Sequence, residues 1–132
     1  MGALELIGLQ AFLVSLALMS HPLPAHLQQE VNTLLKDEKF DTNLLTHILD
    51  AHDSLNTLFR NVRVVEGLRS HQYEILANQQ ITAPNSLPTE KDWLRLGSQV
   101  LNATDSVAEV KQLLLTEPII ANYVQSISNQ LV

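Results

Sequence analysis

His47, Asp50 and Asp53 come nearest to chemistry, because an imidazole and two carboxylates at helical spacing suit a divalent ion. On a helical wheel, however, His47 lies about 60° from Asp50. No second motif completes a coordination shell. A solvated acidic helix face is the commoner origin of such a stripe. His52 stands in the middle of an apolar arc. The frequent role of such a residue is a hydrogen-bonded core or interface histidine. The sharper one is an imidazole that switches an interface on protonation.

Arg60, Arg63 and Arg69, with His71, form the one basic cluster. Guanidinium groups suit phosphate, carboxylate or an acidic partner. Arg63 and Arg69 do not strictly share a face with Arg60, and Glu66 and Glu74 lie within reach for ordinary surface ion pairs. Trp93 reads as a core anchor, with an interface hot spot as the alternative. Asn102-Ala103-Thr104 is a glycosylation triplet that matters only in a secreted chain. No G-x-S-x-G or glycine-rich phosphate loop is present. With no cysteine in 132 residues, disulfides, thiolate metal sites and thiol nucleophiles are excluded.

The histidines, aspartates and arginines of these groups sit on a stretch, Asp41 to Ile81, in which Gly67 is the only glycine or proline. Leu44, Leu45, Ile48, Leu49, His52, Leu55, Phe59 and Val62 share one arc at the 3.6-residue period, opposite Thr46, Asp50, Asp53, Thr57 and Arg60. Asp41 or Thr42 is placed to cap this helix, and Phe40 to staple over Leu45. Beyond Val62 the stripe moves. Val64, Val65, Leu68, Ile75 and Leu76 fall where the polar face had been, and Arg63, Glu66, Ser70 and Glu74 take the old apolar side. Drift of about 20° per heptad is too small to produce this jump. The expectation is one helix, continuous or kinked near Gly67, with its two halves buried against different partners. At 1.5 Å per residue it would run about 60 Å, far enough for one half to reach a second subunit.

The flanking elements are shorter. Residues 3–19 are apolar on every side, as in a core or membrane helix. The uninterrupted part falls short of the roughly 20 residues that span a bilayer. Glu5, the absence of Lys and Arg, and the missing A-x-A site fit a signal peptide poorly. A buried core helix is expected. Pro22 and Pro24 make a turn into a second helix, with Leu27, Val31, Leu34 and Leu35 inside and Gln28, Gln29, Asn32 and Lys36 outside. The run Lys36–Lys39 reads as a short connection. After a loop at Thr82–Pro88, Thr89 with Asp92 and Ser106 with Glu109 resemble capping boxes. They introduce helices carrying Trp93, Leu96 and Val100, then Val107, Val110 and Leu114. Pro118 opens a last helix with Ile119, Ile120, Tyr123, Val124, Ile127 and Leu131 on one stripe. No strand and no internal repeat is expected.

Composition fits one folded domain: 45 % of residues are hydrophobic and only 17 % charged. The formal charge of −6 opposes general nucleic-acid binding, which needs a basic surface. Residues 1–58 carry two lysines against seven carboxylates, a net of −5, whereas 59–75 carry three arginines against two glutamates, a net of +1. The chain therefore reads as an acidic, cytoplasmic, all-α bundle of about six helices in a single domain, 1–132, with 41–81 as its long central helix. Its expected function is non-enzymatic: an adaptor, assembly factor or small regulatory subunit binding through an apolar helix face. The expected partner is a protein, including a second copy in a homodimer. The interface residues are Arg63, Val64, Val65, Leu68, Arg69 and Ile75. The alternatives rank lower: a nucleoprotein subunit using Arg60, Arg63 and Arg69, a metal enzyme built on His47, Asp50 or His52, and membrane contact through residues 3–19. No cofactor or resident metal is expected.

Overall fold

The computed structural model describes residues 2–78 and 88–131, with backbone alone for Ala3 and for 68–78. It is an all-α helical bundle. In chain order the elements are α1 (Ala3–Leu18), α2 (Ala25–Val31), β1 (Leu35–Lys36), β2 (Lys39–Phe40), α3 (Thr42–Asp50), α4 (Asp53–Asn78), α5 (Glu90–Leu101), α6 (Ser106–Thr116) and α7 (Pro118–Gln130). The all-apolar α1 is the central rod. Leu9, Phe12, Leu13, Val14 and Leu16 are buried, and the helix packs against α4, α5, α6, α7 and β2. Neighbours on every side are what a helix without a polar face requires. Ser15, buried within it, donates its hydroxyl to the Ala11 carbonyl at 2.6 Å, so no polar group is stranded. Among the described residues no helix is long and apolar enough to cross a membrane. Gly97 lets α5 approach closely: a Cβ there would meet Leu9 Cδ1 at 3.0 Å and Leu35 Cδ2 at 3.4 Å.

The expected long helix is two helices. It breaks at Ala51–His52 rather than near Gly67, through which α4 runs without interruption. The Ala51 N–H closes α3 on the His47 and Ile48 carbonyls. His52 Nδ1 then accepts the Leu55 N–H at 3.1 Å and caps α4. A straight rod would carry Leu45, Ile48 and Leu49 away from the core that Leu55 and Val62 enter. The break buries all five, with α3 on α2 and α4 on α1. The downstream end of the expected helix, and nearly all of the Thr82–Pro88 loop, lie outside the described residues.

A small hairpin replaces the expected connection at 36–39. Leu35 pairs with Phe40 and Lys36 with Lys39, antiparallel. Asp37 and Glu38 both take left-handed backbone, with φ of 52° and 62°, the conformation of a two-residue type I′ turn. Glycine and asparagine usually mark such turns, and strands of two residues are too short to alternate; the sequence therefore carries no hairpin signal here.

Caps set the other boundaries. Asp41 caps α3 through the Leu44 N–H at 3.0 Å. Thr89 and Asp92 form a complete reciprocal box at the start of α5, at 3.2 and 2.9 Å. Pro118 opens α7 in its first turn. For α6 the cap is Asp105, which accepts the Ala108 N–H, one residue before the expected Ser106. Ser106 is buried instead. Its N–H donates to Gln28 Oε1 at 2.9 Å, its hydroxyl to the Val100 carbonyl at 2.7 Å, and it accepts from Gln28 Nε2 at 2.8 Å. Asn32 Nδ2 adds bonds to the Leu101 and Ala103 carbonyls. Gln28 and Asn32, read from the sequence as outward, thus clamp α2 to the α5–α6 turn. They satisfy carbonyls that the end of α5 leaves open.

Candidate interaction surface on α4

Through its first half α4 behaves as its periodicity dictates. Leu55 and Val62 are buried, Leu58 and Phe59 half-buried, and Thr57, Arg60 and Asn61 exposed. One turn after Val62, on the same side, comes Glu66. It is 5 % exposed. The Tyr123 hydroxyl of α7 donates to its Oε2 at 2.5 Å, and the Tyr123 ring meets Trp93 of α5 edge-on, with centroids 5.3 Å apart and planes at 73°. A buried carboxylate is tolerable when it is hydrogen-bonded, and here it links α4 to α7 and, through the aromatic pair, to α5. The core face of α4 therefore continues past Val62 with a polar member, and the expected transfer of the buried stripe does not take place by Gly67.

The opposite side is inverted in the other sense. Val64, one turn after Arg60, is 65 % exposed. Arg63 is half-buried beside it and Gly67 follows one turn later, also exposed. Beyond its own helix, no atom of the described residues lies within 4 Å of where a Gly67 Cβ would stand. Arg60, Arg63, Val64 and Gly67 thus form one strip at the i, i+3, i+4, i+7 spacing of a helix surface. Neither Arg60 nor Arg63 makes an ion pair among the described residues, and the side chains of Arg69 and Glu74, the other members of the expected surface pairing, lie outside them. Glu66 has turned inward.

Of the six residues expected at an interface, Arg63 and Val64 lie on this strip. Val65 belongs to the chain's own core at 6 % exposure and is not free to meet a partner. The side chains of Leu68, Arg69 and Ile75, like that of His71, lie outside the described residues. The His47, Asp50 and Asp53 trio is not brought together as a site. His47 is exposed with Nε2 3.3 Å from Glu30 Oε1, Asp50 and Asp53 stand on separate helices, and no metal-holding cluster occurs among the described residues. Trp93 is a core anchor. Elsewhere, Arg95 bridges Glu117 at 2.8 Å and Asp92 at 3.8 Å, and the Thr89 backbone N–H holds the Asp92 carboxyl below its ordinary range. Both are helix-end contacts. The Glu66–Tyr123 pair has one signal in the sequence: Glu66 lies one turn from Val62 on the apolar arc.

No family model, characterised protein or solved structure matches this chain.

Proposed function

We propose that this chain is a non-enzymatic helical interaction module that docks a protein partner through the outward strip of α4. The strip is Arg60, Arg63, Val64 and Gly67, continuing in sequence toward Leu68, Arg69 and Ile75. The observation that carries this reading is an exposed valine flanked by two arginines without ion-pair partners among the described residues, in a chain of net charge −6. An aliphatic contact with adjacent guanidinium groups suits a partner helix or loop bearing an apolar residue beside carboxylates. Gly67 offers room for that partner's backbone to come close. A nucleic acid would meet only these few cations against a repulsive overall charge.

Symmetric pairing of α4 with its own copy would bring like-charged arginines together, which is unfavourable. A second copy fits the strip only by presenting its acidic N-terminal half. Such a head-to-tail contact forms a ring where its rotation closes and otherwise grows into an open chain with concentration. The test compares wild type with Arg60→Glu/Arg63→Glu and with Val64→Asp. It uses light scattering over a concentration range, and calorimetry with any partner recovered by affinity capture and purified. A complex that weakens with salt and disappears in both variants, at unchanged helicity, supports the proposal. A complex that persists in both variants overturns it.

A further inference from the structure

We propose that His52 is an acid-sensitive cap, whose protonation releases the first turn of α4 and loosens the α3–α4 junction. The cap is a ring nitrogen. Nδ1 accepts the Leu55 N–H at 3.1 Å, while the His52 carbonyl accepts the Asn56 N–H at 2.9 Å in the first full helical bond. Only a neutral imidazole with its proton on Nε2 can accept at Nδ1. A proton on both nitrogens turns the acceptor into a donor facing another donor. It also sets a positive charge at the end of α4 where the helix dipole is positive. The usual caps, Ser, Thr, Asn and Asp, do not lose function in this way near neutral pH. Histidine does, because its charge changes within the physiological range.

The surroundings leave the ring accessible to protons. His52 is half-buried and lines a cleft of about 260 Å³ together with Leu18, Met19, Ser54 and Leu58. From the α1–α2 connection, the titratable residue lining the same cleft is His21. Asp50 and Asp53 flank His52 in the chain and are exposed, so solvent screens their attraction for the imidazolium. Burial of Leu45, Ile48, Leu49 and Leu55 outweighs a single cap several-fold. Acid therefore frays one turn and leaves the bundle standing.

The experiment is amide hydrogen exchange by NMR on the full chain at pH 7.5 and pH 5.0, expressed as protection factors, for wild type and for His52→Asn. Asparagine caps at both pH values. The expected result is a fall of about fivefold in Leu55 protection at pH 5.0 in wild type, the size of one N-cap, and no fall in His52→Asn. Equal falls in both proteins, or none in wild type, overturn the proposal. A second readout needs no variant. The nitrogen shifts of the wild-type His52 ring at pH 7.5 should report the Nε2–H tautomer, and a dominant Nδ1–H tautomer would contradict the cap.

Discussion

The two halves of the described part of α4 treat polarity in opposite ways. From Asp53 to Val62, apolar side chains point inward and polar ones outward, and the burial of Leu55 and Val62 needs no further account. From Arg63 to Gly67 a charged residue, Glu66, is buried and an aliphatic one, Val64, is exposed. The inner anomaly is met within the chain, because Tyr123 hydrogen-bonds the carboxylate. The outer one has no counterpart within the chain among the described residues. Single exposed hydrophobic residues are common and need no explanation on their own. What distinguishes Val64 is its company: two arginines without ion pairs, and a glycine with open space above it, among the described residues. Periodicity reports which side of a helix is apolar. The mismatch between periodicity and burial is what separates structural residues from those available to a partner.

The largest effects are expected on the inner side. Leu55→Ala should cost about 2–5 kcal/mol, as for a buried leucine, and a small loss in urea unfolding would mean that α4 is not seated as described. Tyr123→Phe comes next. Removing a hydrogen bond to a buried carboxylate should cost about 1.5–3 kcal/mol; an unchanged unfolding midpoint would remove the Tyr123–Glu66 bond from the structural account.

On the outer side, Gly67→Ala should stabilise the free chain by up to about 1 kcal/mol, since alanine is the better helix former and the site is open. The same change should weaken partner binding if a backbone approaches there. Tighter binding would move the contact away from Gly67.

A smaller effect belongs to the capping box of α5 and serves as a control remote from the strip. The Asp92 carboxyl is depressed chiefly by the Thr89 backbone N–H. Its contribution is therefore complete above the unfolded value of about 3.9 and is lost as pH falls through the lower folded value. Asp92→Asn should flatten that part of the stability profile below about pH 4 without affecting association. An unchanged acid profile would contradict the assignment.

Much of the bundle was legible in the sequence because caps and apolar stripes act locally. Asp41, the Thr89–Asp92 box and Pro118 set helix starts where expected, and the all-round apolar segment at 3–19 became the core rod α1. What was not legible depended on distant groups or on side chains in uncommon roles. A histidine acting as an N-cap splits a stretch whose stripe runs on without a break. A turn built from Asp37 and Glu38 lacks the usual glycine. Gln28 on a short helix and Asn32 at its C-cap are polar residues, and their inward orientation follows from the α5–α6 turn, about seventy residues away. The site was half legible for the same reason. Val64 and Arg63 could be picked out from the shifted stripe, but Val65 and Glu66 change sides only once α1 and α7 are in place.

The most direct measurement of the central claim is the Val64→Asp variant, followed for stability and for association in the same preparation. If Val64 is a contact residue, the unfolding free energy changes by no more than about 0.5 kcal/mol, as for an ordinary surface substitution, while partner binding falls at least about tenfold, or about 1.4 kcal/mol. A loss of several kcal/mol in stability with binding intact would make Val64 part of the core and contradict the account.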